Sequence, residues 1–242
     1  MVIDIHSHIL PGIDDGAKSM DEAIQMLNIA VQEGIEAMVA TPHYEVGMKN
    51  GYSKKCLNVY DKLQECIKTK KLPIELYLGN EIYYSESILE LLQNGEIHTI
   101  NGTPYVLVEF PIHIGQQSME RALNNLFYAG YWPIIAHAER YSVLRDVNKV
   151  SNLVRNGVCI QVNVSAILGQ DGWTTKHFCK RLMKKRLIHI VSTDAHRARK
   201  RKPIIKECLE YIEKKYGTDY RKQVSEDNPL KILKGERIGG KN

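Results

Sequence analysis

Histidine and carboxylate side chains stand directly after several short apolar runs of this sequence. His6 and His8 form a His-x-His pair, and Asp194 and His196 form an Asp-x-His pair. Because residues two apart on a β-strand point to the same face, each pair can hold one ion. The same position after an apolar run is taken by His43, Glu81, Glu109 and His137. Imidazole and carboxylate donors without thiolate suit Zn, Mn or Fe, so the pattern predicts a centre of several metal ions.

Two neighbouring segments could complete this centre. The segment 11–16 contains Asp14 and Asp15, one of which we expect to fold back as a further ligand. Arg140 follows His137 by three residues. Beside bound cations its guanidinium would be repelled unless an anion lay between them, and a phosphate meets that condition.

A basic run follows the last candidate ligand. Five of the six residues 197–202 are Arg or Lys, directly after His196. We expect this run on the rim of the site, where it favours an anionic macromolecular substrate. Nucleic acid is less favoured, because no aromatic-rich stripe for base stacking accompanies the run.

Alternating strand-like and helix-like segments would position these residues. The strands are predicted at 2–5, 37–40, 74–78, 105–108, 132–136, 158–162 and 188–192. The helices are predicted at 19–33, 53–70, 85–93, 116–129, 143–155, 175–185 and 203–215. This alternation indicates parallel strands with crossover helices, either closed into a barrel, whose active site lies at the carboxyl ends of the strands, or arranged as an open doubly wound sheet. We expect one domain over residues 1–226 and a loosely held polar tail over 227–242.

Composition narrows the protein class. The chain has 242 residues, of which 43% are hydrophobic and 25% charged, as in ordinary globular proteins. No apolar stretch approaches the roughly 18 residues of a membrane span, and no signal peptide is recognisable. Five scattered cysteines without a CxxC pair indicate reduced thiols. We therefore expect a cytoplasmic protein without membrane insertion.

The blocks that carry the candidate ligands resemble the PHP (polymerase and histidinol phosphatase) superfamily. They are IDIHSHILPGIDDG at 3–16, ATPH at 40–43, GNE at 79–81, IIAHAERY at 134–141 and STDAH at 192–196. Within that superfamily the chain most resembles the bacterial protein-tyrosine phosphatases of the CpsB/CapC type, which are encoded with capsular or exopolysaccharide genes. The similarity spans residues 1–210.

The resemblance implies a distorted (β/α)₇ TIM-like barrel with three metal ions, usually assigned as Mn²⁺, at the carboxyl ends of the strands. Fe, Zn or Mg are alternatives. By motif, the first ion would be held by His6, His8, Glu81 and Asp194, the second by Glu81, Glu109 and His137, and the third by Asp15, His43 and His196. Arg140 and Arg201 match phosphate-binding arginines. Asp15 and His43 are both candidates for the acid that protonates the leaving group.

The implied activity is metal-assisted hydrolysis of phosphotyrosine, on the tyrosine-rich C-terminal tail of a bacterial tyrosine kinase. A small-molecule phosphatase such as histidinol phosphatase is the second hypothesis, and an exonuclease or phosphodiesterase the third. From another class, the chain could be a non-catalytic metal-binding partner of a kinase. A homo-oligomer is compatible with all of these. A thiol-based tyrosine phosphatase is excluded, because no cysteine is followed six positions later by arginine.

Overall fold

The computed structural model describes residues 1–47 and 53–238. Its strands are β1 (Val2–Ser7), β2 (Ile35–Ala40), β3 (His43–Tyr44), β4 (Glu75–Leu78), β5 (Glu81–Tyr83), β6 (Tyr105–Glu109), β7 (Trp132–Ile135), β8 (Cys159–Asn163) and β9 (Ile190–Ser192). Its α-helices are α1 (Met20–Gln32), α2 (Ser53–Lys70), α3 (Ile88–Gln93), α4 (Gln116–Tyr128), α5 (Val147–Arg155), α6 (Val164–Leu168), α7 (Trp173–Lys184), α8 (Lys206–Tyr216), α9 (Thr218–Lys222) and α10 (Asn228–Lys234). Short 3₁₀ segments lie at Ile100–Gly102, Ala138–Arg140 and Ser142–Arg145, and a π-helical turn lies at Gln223–Asp227.

The strands pair in parallel and close into a barrel. Their order is β1-β2-β4 in one sheet and β3-β5-β6-β7-β8-β9 in the other. β2 and β3 are consecutive parts of one extended segment, as are β4 and β5. The nine described strands therefore form seven staves, meaning the seven successive extended segments of the barrel wall. A parallel bridge between Ser7 and Ala195 joins the first stave to the chain after the last. The backbone N–H of His8 also donates to the carbonyl of Ala195 at 2.8 Å. The predicted distorted (β/α)₇ barrel is therefore confirmed, and the open sheet is excluded.

The barrel interior holds its own apolar cluster, separate from the larger core between strands and helices. Tyr105 and Leu107 of β6 belong to the interior cluster, whereas Val106 and Val108 pack in the outer core. Since side chains alternate along a strand, Glu109 continues the interior row at the carboxyl end of β6. The same alternation delivers polar side chains from other strands to that end.

Helix starts follow local sequence signals in part. Ser19 caps α1, because its hydroxyl accepts the backbone N–H of Glu22 at 3.2 Å. The helices predicted from 85, 143 and 203 begin a few residues later, at Ile88, Val147 and Lys206. The short helices α6, α9 and α10 were not predicted, because five to seven residues contain too few turns to show a helical period.

The expectation of a loosely held tail is wrong for residues up to Ile238. Ile232, Leu233 and Ile238 are buried in the interior cluster. The Tyr105 hydroxyl accepts the backbone N–H of Ile238 at 2.9 Å and lies 2.9 Å from the carbonyl of Glu236, to which it donates. This segment covers the amino-terminal end of the barrel, which would otherwise expose apolar side chains to water. Residues 239–242 lie outside the described residues.

Among the described residues, no helix is both long and apolar enough to cross a bilayer.

Candidate metal centre

Three buried side chains converge at the carboxyl end of the barrel. Nε2 of His6 lies 3.3 Å from Nε2 of His8. Oε2 of Glu81 lies 3.2 Å from each of these nitrogens. β1 supplies His6, the residues after β1 supply His8, and the first residue of β5 supplies Glu81. Their donor atoms are close enough to share one ion.

A second group extends from Glu81 toward β6 and β7. Nε2 of His137 lies 2.6 Å from Oε1 of Glu81 and 3.5 Å from Oε1 of Glu109. Nδ1 of His43 lies 3.0 Å from Oε2 of Glu81. The donor atoms of His43, Glu81 and Glu109 lie mutually within 4.8 Å. Glu81 therefore stands between two possible ion positions, with Oε2 facing His6, His8 and His43, and Oε1 facing His137.

A third group lies closer to solvent. Oδ1 of Asp15 lies 3.3 Å from Nε2 of His196 and 3.6 Å from Nε2 of His43. His8 joins these three residues within 4.8 Å. The Asp15 side chain is 65% exposed, whereas those of His8 and His196 are buried. Of the two aspartates in the segment 11–16, Asp15 is the one whose carboxylate lies close to His43 and His196, whereas Asp14 contacts Nδ1 of His8.

Asp194 links the histidines to the two arginines. Its Oδ1 lies 3.5 Å from Nε2 of His6 and 3.3 Å from Nε2 of His8. Its Oδ2 accepts from Nη2 of Arg140 at 3.0 Å, and Nη2 of Arg201 lies 2.7 Å away. Both arginine side chains are partly exposed. Two guanidinium groups are thus held beside the histidine cluster and face solvent.

Three of the six non-glycine residues with positive φ in the described chain lie at this centre. His137, Asp194 and Arg201 have φ angles of 33°, 52° and 54°, a region that residues with a Cβ seldom occupy. Such conformations persist where the surrounding structure holds them, and they cluster at functional sites. Here each one sits where a strand or loop turns its side chain into the centre.

The titration behaviour of the carboxylates fits a cation site. Burial would raise the pKa of Glu81, but the charge of His6 and the hydrogen bond from His137 hold that pKa well below its usual value. Burial opposes ionisation of Asp194 too, yet the neighbouring His6 and His8 hold its pKa well below the usual range. Protons on the imidazoles balance these carboxylates in the metal-free chain, and bound cations would take over that role.

The surroundings of one carboxylate oxygen show whether metal ions fit between these side chains. Oε2 of Glu81 is buried and lies within 3.2 Å of three imidazole nitrogens, yet it has hydrogen-bond geometry to none of the described residues. A buried carboxylate oxygen left in this way is costly. A cation between the oxygen and the nitrogens would satisfy all of them, so the residues present fit divalent ions.

Three side chains orient the candidate ligands; the sequence named Asp14 only as a possible ligand and did not single out Gln161 or Asn163. Oδ2 of Asp14 lies 2.7 Å from Nδ1 of His8. Oε1 of Gln161 lies 3.2 Å from Nδ1 of His6. The side-chain amide of Asn163 donates to Oδ2 of Asp194 at 2.8 Å. Gln161 and Asn163 are two apart on β8, so polar residues alternating near a strand end were the available signal. Partners of this kind commonly set the orientation of metal-binding histidines.

The other four histidines lie outside these groups. None of the three donor groups found among the described residues contains His98, His113, His177 or His189. His177 stacks on the exposed ring of Trp173 at 5.3 Å, and His189 accepts a backbone hydrogen bond from Ile160. None of the five cysteines, all of them described, forms a disulfide, and burial raises the pKa of Cys56 to about 11 and of Cys159 to about 12.

Comparisons with known proteins bear on this arrangement. A family model described as capsular polysaccharide synthesis, CpsB/CapC, matches residues 2–234. The tyrosine-protein phosphatase CpsB of Streptococcus pneumoniae is 32% identical over 243 residues, covering 98% of this chain and 100% of the relative. The putative tyrosine-protein phosphatase CapC of Staphylococcus aureus is 34% identical over 246 residues, covering 98% and 93%.

A solved structure agrees with the sequence relatives. It comes from the crystal structures of YwqE from Bacillus subtilis and CpsB from Streptococcus pneumoniae, described as metal-dependent tyrosine phosphatases. It matches this chain with a TM-score of 0.91 and 32% sequence identity, covering 98% of this chain and 96% of its own.

Proposed function

Because this chain belongs to the CpsB/CapC family, we propose that it is a metal-dependent protein-tyrosine phosphatase. The observation that carries the proposal is the meeting of two kinds of groups at Asp194. One of its carboxylate oxygens faces the buried histidines, and the other binds Arg140 and Arg201. A phosphate monoester needs both a cation cluster and fixed positive side chains, and these lie side by side.

We assign the candidate ligands to three ions. His6, His8, Glu81 and Asp194 would hold the first, Glu81, Glu109 and His137 the second, and Asp15, His43 and His196 the third. We propose Mn²⁺ as the metal, since imidazole and carboxylate donors suit it. When bound, the cations supply charge stabilisation to the phosphoryl oxygens and make water a stronger nucleophile near neutral pH.

The protein side chains then bind and orient the phosphoryl group. Arg140 and Arg201 present N–H groups to its non-bridging oxygens, where negative charge is concentrated during transfer. Asp194 holds both guanidinium groups in place through Oδ2, so little reorganisation is needed when substrate arrives. Because both arginines are partly exposed, the phosphate of a protein-borne tyrosine can reach them.

The leaving group needs only modest help. A tyrosine phenol has a pKa near ~10, so its phenolate departs far more easily than a serine alkoxide. We propose Asp15 or His43 as the side chain that donates a proton, since they lie together at the solvent side of the centre. Four of the five thiols are buried, which agrees with a mechanism that uses no cysteine nucleophile.

We propose that the physiological substrate is the tyrosine-rich tail of a bacterial tyrosine kinase that controls capsule or exopolysaccharide synthesis. The support is the family's description as capsular polysaccharide synthesis proteins and the phosphatase names of its members. We place the reaction in the cytoplasm, where five cysteines outside disulfides remain reduced.

The test combines metal removal with substrate comparison. Protein stripped with EDTA should lose activity on a phosphotyrosine peptide, and Mn²⁺ should restore it. Rates with Fe²⁺, Zn²⁺ and Mg²⁺, together with metal analysis of protein purified without added metal, identify the ion. The peptide should be a better substrate than histidinol phosphate, and the opposite order would overturn the substrate assignment.

A matched pair of histidine variants tests the site itself. His6→Ala should abolish both metal binding and activity. His177→Ala removes an exposed histidine on α7, so it should preserve both. Full activity in His6→Ala would refute the proposed centre.

A further inference from the structure

A cleft of about 930 Å³ opens from the metal centre toward α8. Its inner end is lined by Arg140, Asn163, Asp194 and Arg201. It therefore begins where the proposed phosphate-binding groups lie. Pockets that bury a small ligand have volumes of roughly 300–1,000 Å³, so this cleft has room for more than one phosphotyrosine side chain.

Two segments form the walls of the cleft. One wall is α6 with the residues that follow it, including Val164, Leu168 and Gln170. The opposite wall is the chain from Arg199 into the second turn of α8. The side chain of a bound phosphotyrosine would occupy the inner end, so the peptide residues next to it would lie between these walls.

Some residues of the basic run 197–202 form ion pairs, and others do not. Nε of Arg197 lies 2.8 Å from Oε1 of Glu22, and Arg201 binds Asp194. Arg199 and Lys202 are exposed, line the cleft, and form no ion pair with any described residue. Lys200 is also exposed but does not line the cleft. Two cations thus face the cleft close to its phosphate end without an acidic partner.

In the described part of the chain, no acidic side chain that lines the cleft forms an ion pair with these two cations, and two of the acids hold other partners. Glu33 accepts the backbone N–H groups of Ile205 and Lys206 at 3.0 Å each, and Asp171 accepts the hydroxyl of Ser165 at 2.6 Å. Glu207 and Glu210 stand on α8, and Lys206 lies beside them.

The outer end of the cleft leads away from the metal centre. Glu33, Lys206 and Glu210 also border a second cavity with Val2, which begins β1. The metal centre lies at the other end of β1, so this border is remote from it. The cleft is therefore positive beside the phosphate site and of mixed charge farther out.

We propose that this cleft binds the residues flanking phosphotyrosine, and that Arg199 and Lys202 select substrates with acidic residues there. This inference rests on the proposed phosphatase function and adds a sequence preference to it. Exposed ion pairs each contribute little, so we expect each cation to raise kcat/KM for an acidic over a neutral flank by about two- to fivefold.

The test uses paired phosphotyrosine peptides that differ only in Asp or Asn on either side of the phosphotyrosine. In the Mn²⁺-loaded wild type the acidic peptide should have the higher kcat/KM, and high salt should reduce the difference. Arg199→Gln, Lys202→Gln and the double variant should lower this preference stepwise. Lys200→Gln removes the same charge from the same loop outside the cleft, so it should keep the preference.

Two outcomes with the variants would overturn the inference. One is an acidic preference that persists in the double variant. The other is a loss of preference in Lys200→Gln as large as in Arg199→Gln or Lys202→Gln, which would indicate only a nonspecific effect of the loop's positive charge. A wild type that cleaves both peptides equally also refutes the selective cleft but leaves the phosphatase function intact. A wild type that cleaves neither peptide, with metal present, refutes the phosphatase function itself. Thermal melting of each variant checks that the fold is retained.

Discussion

Oδ2 of Asp14 lies 2.7 Å from Nδ1 of His8. The same oxygen accepts the backbone N–H of His43 at 3.0 Å, and Oδ1 accepts that of Gly16 at 2.9 Å. The hydrogen bond to Asp14 raises the pKa of His8 well above its usual value, although burial opposes this. With Nδ1 held by Asp14, Nε2 of His8 faces the other candidate ligands. Asp14 is therefore a positioning residue rather than a ligand.

Replacing Asp14 should weaken metal binding. Asp14→Asn keeps the size of the side chain but removes the charge that holds His8. Loss of such a partner typically costs about 10- to 100-fold in metal affinity. Equilibrium dialysis against buffered Mn²⁺, followed by metal analysis, measures the effect. Asp21→Asn, at an exposed position in α1, is the control. Equal affinities in the two variants would show that Asp14 does not position His8.

The two arginines should be sensitive to geometry as well as charge. Arg140→Ala removes a donor that we propose binds the phosphoryl group, and it should lower kcat by about 10²- to 10³-fold. Arg140→Lys and Arg201→Lys keep the charge but lose the planar fork, so they should fall between Ala and wild type. Steady-state kinetics on a phosphotyrosine peptide measure this, with the exposed Arg121→Lys as control. Wild-type kinetics in Arg140→Ala would remove Arg140 from the mechanism.

Gly16 should tolerate no side chain. A Cβ at Gly16 would lie 1.9 Å from the carbonyl oxygen of His8, which is backbone and cannot rotate away. We expect Gly16→Ala to cost about 1–3 kcal/mol of unfolding free energy and to reduce Mn²⁺ binding, because His8 must shift. At Gly115 a Cβ meets nothing within 4 Å, so Gly115→Ala is the control. Urea unfolding and dialysis measure both effects, and a fully stable, metal-binding Gly16→Ala would contradict the close approach.

His189 should contribute to loss of stability in acid. Burial lowers the pKa of His189 to about 4 from its usual 6.5. Between these values the unfolded chain binds more protons there than the folded chain, so stability falls as the pH falls. The slope from this group reaches at most about 1.4 kcal/mol per pH unit.

The variant His189→Asn tests that contribution. The amide oxygen can replace Nδ1 as acceptor for the N–H of Ile160, but it does not titrate. The free energy of unfolding, measured by urea in EDTA from pH about 4 to 6.5, should depend less steeply on pH in the variant. Parallel curves for wild type and variant would show that His189 does not titrate across this window.

Much of the fold followed from patterns within single segments. Each of the seven barrel staves overlaps a predicted strand, because β-branched runs bounded by turn residues are a local signal. Helix α10 was missed because Ile232 and Leu233 form too short an apolar pattern to reveal a helix. Their burial depends on Tyr105 and the barrel interior, which lie far away in the chain.

The sequence by itself determined the chemistry available to this protein: imidazole and carboxylate donors after successive strands, two arginines suited to phosphate, and no thiol nucleophile. Only the tertiary structure decided which donors meet. It brings His8 to Asp15, His43 and His196, assigns Asp14 to His8, and sets Arg140 and Arg201 on one oxygen of Asp194. The physical reason is that residue types and their spacing are local, whereas distances between side chains on different strands depend on how the barrel closes.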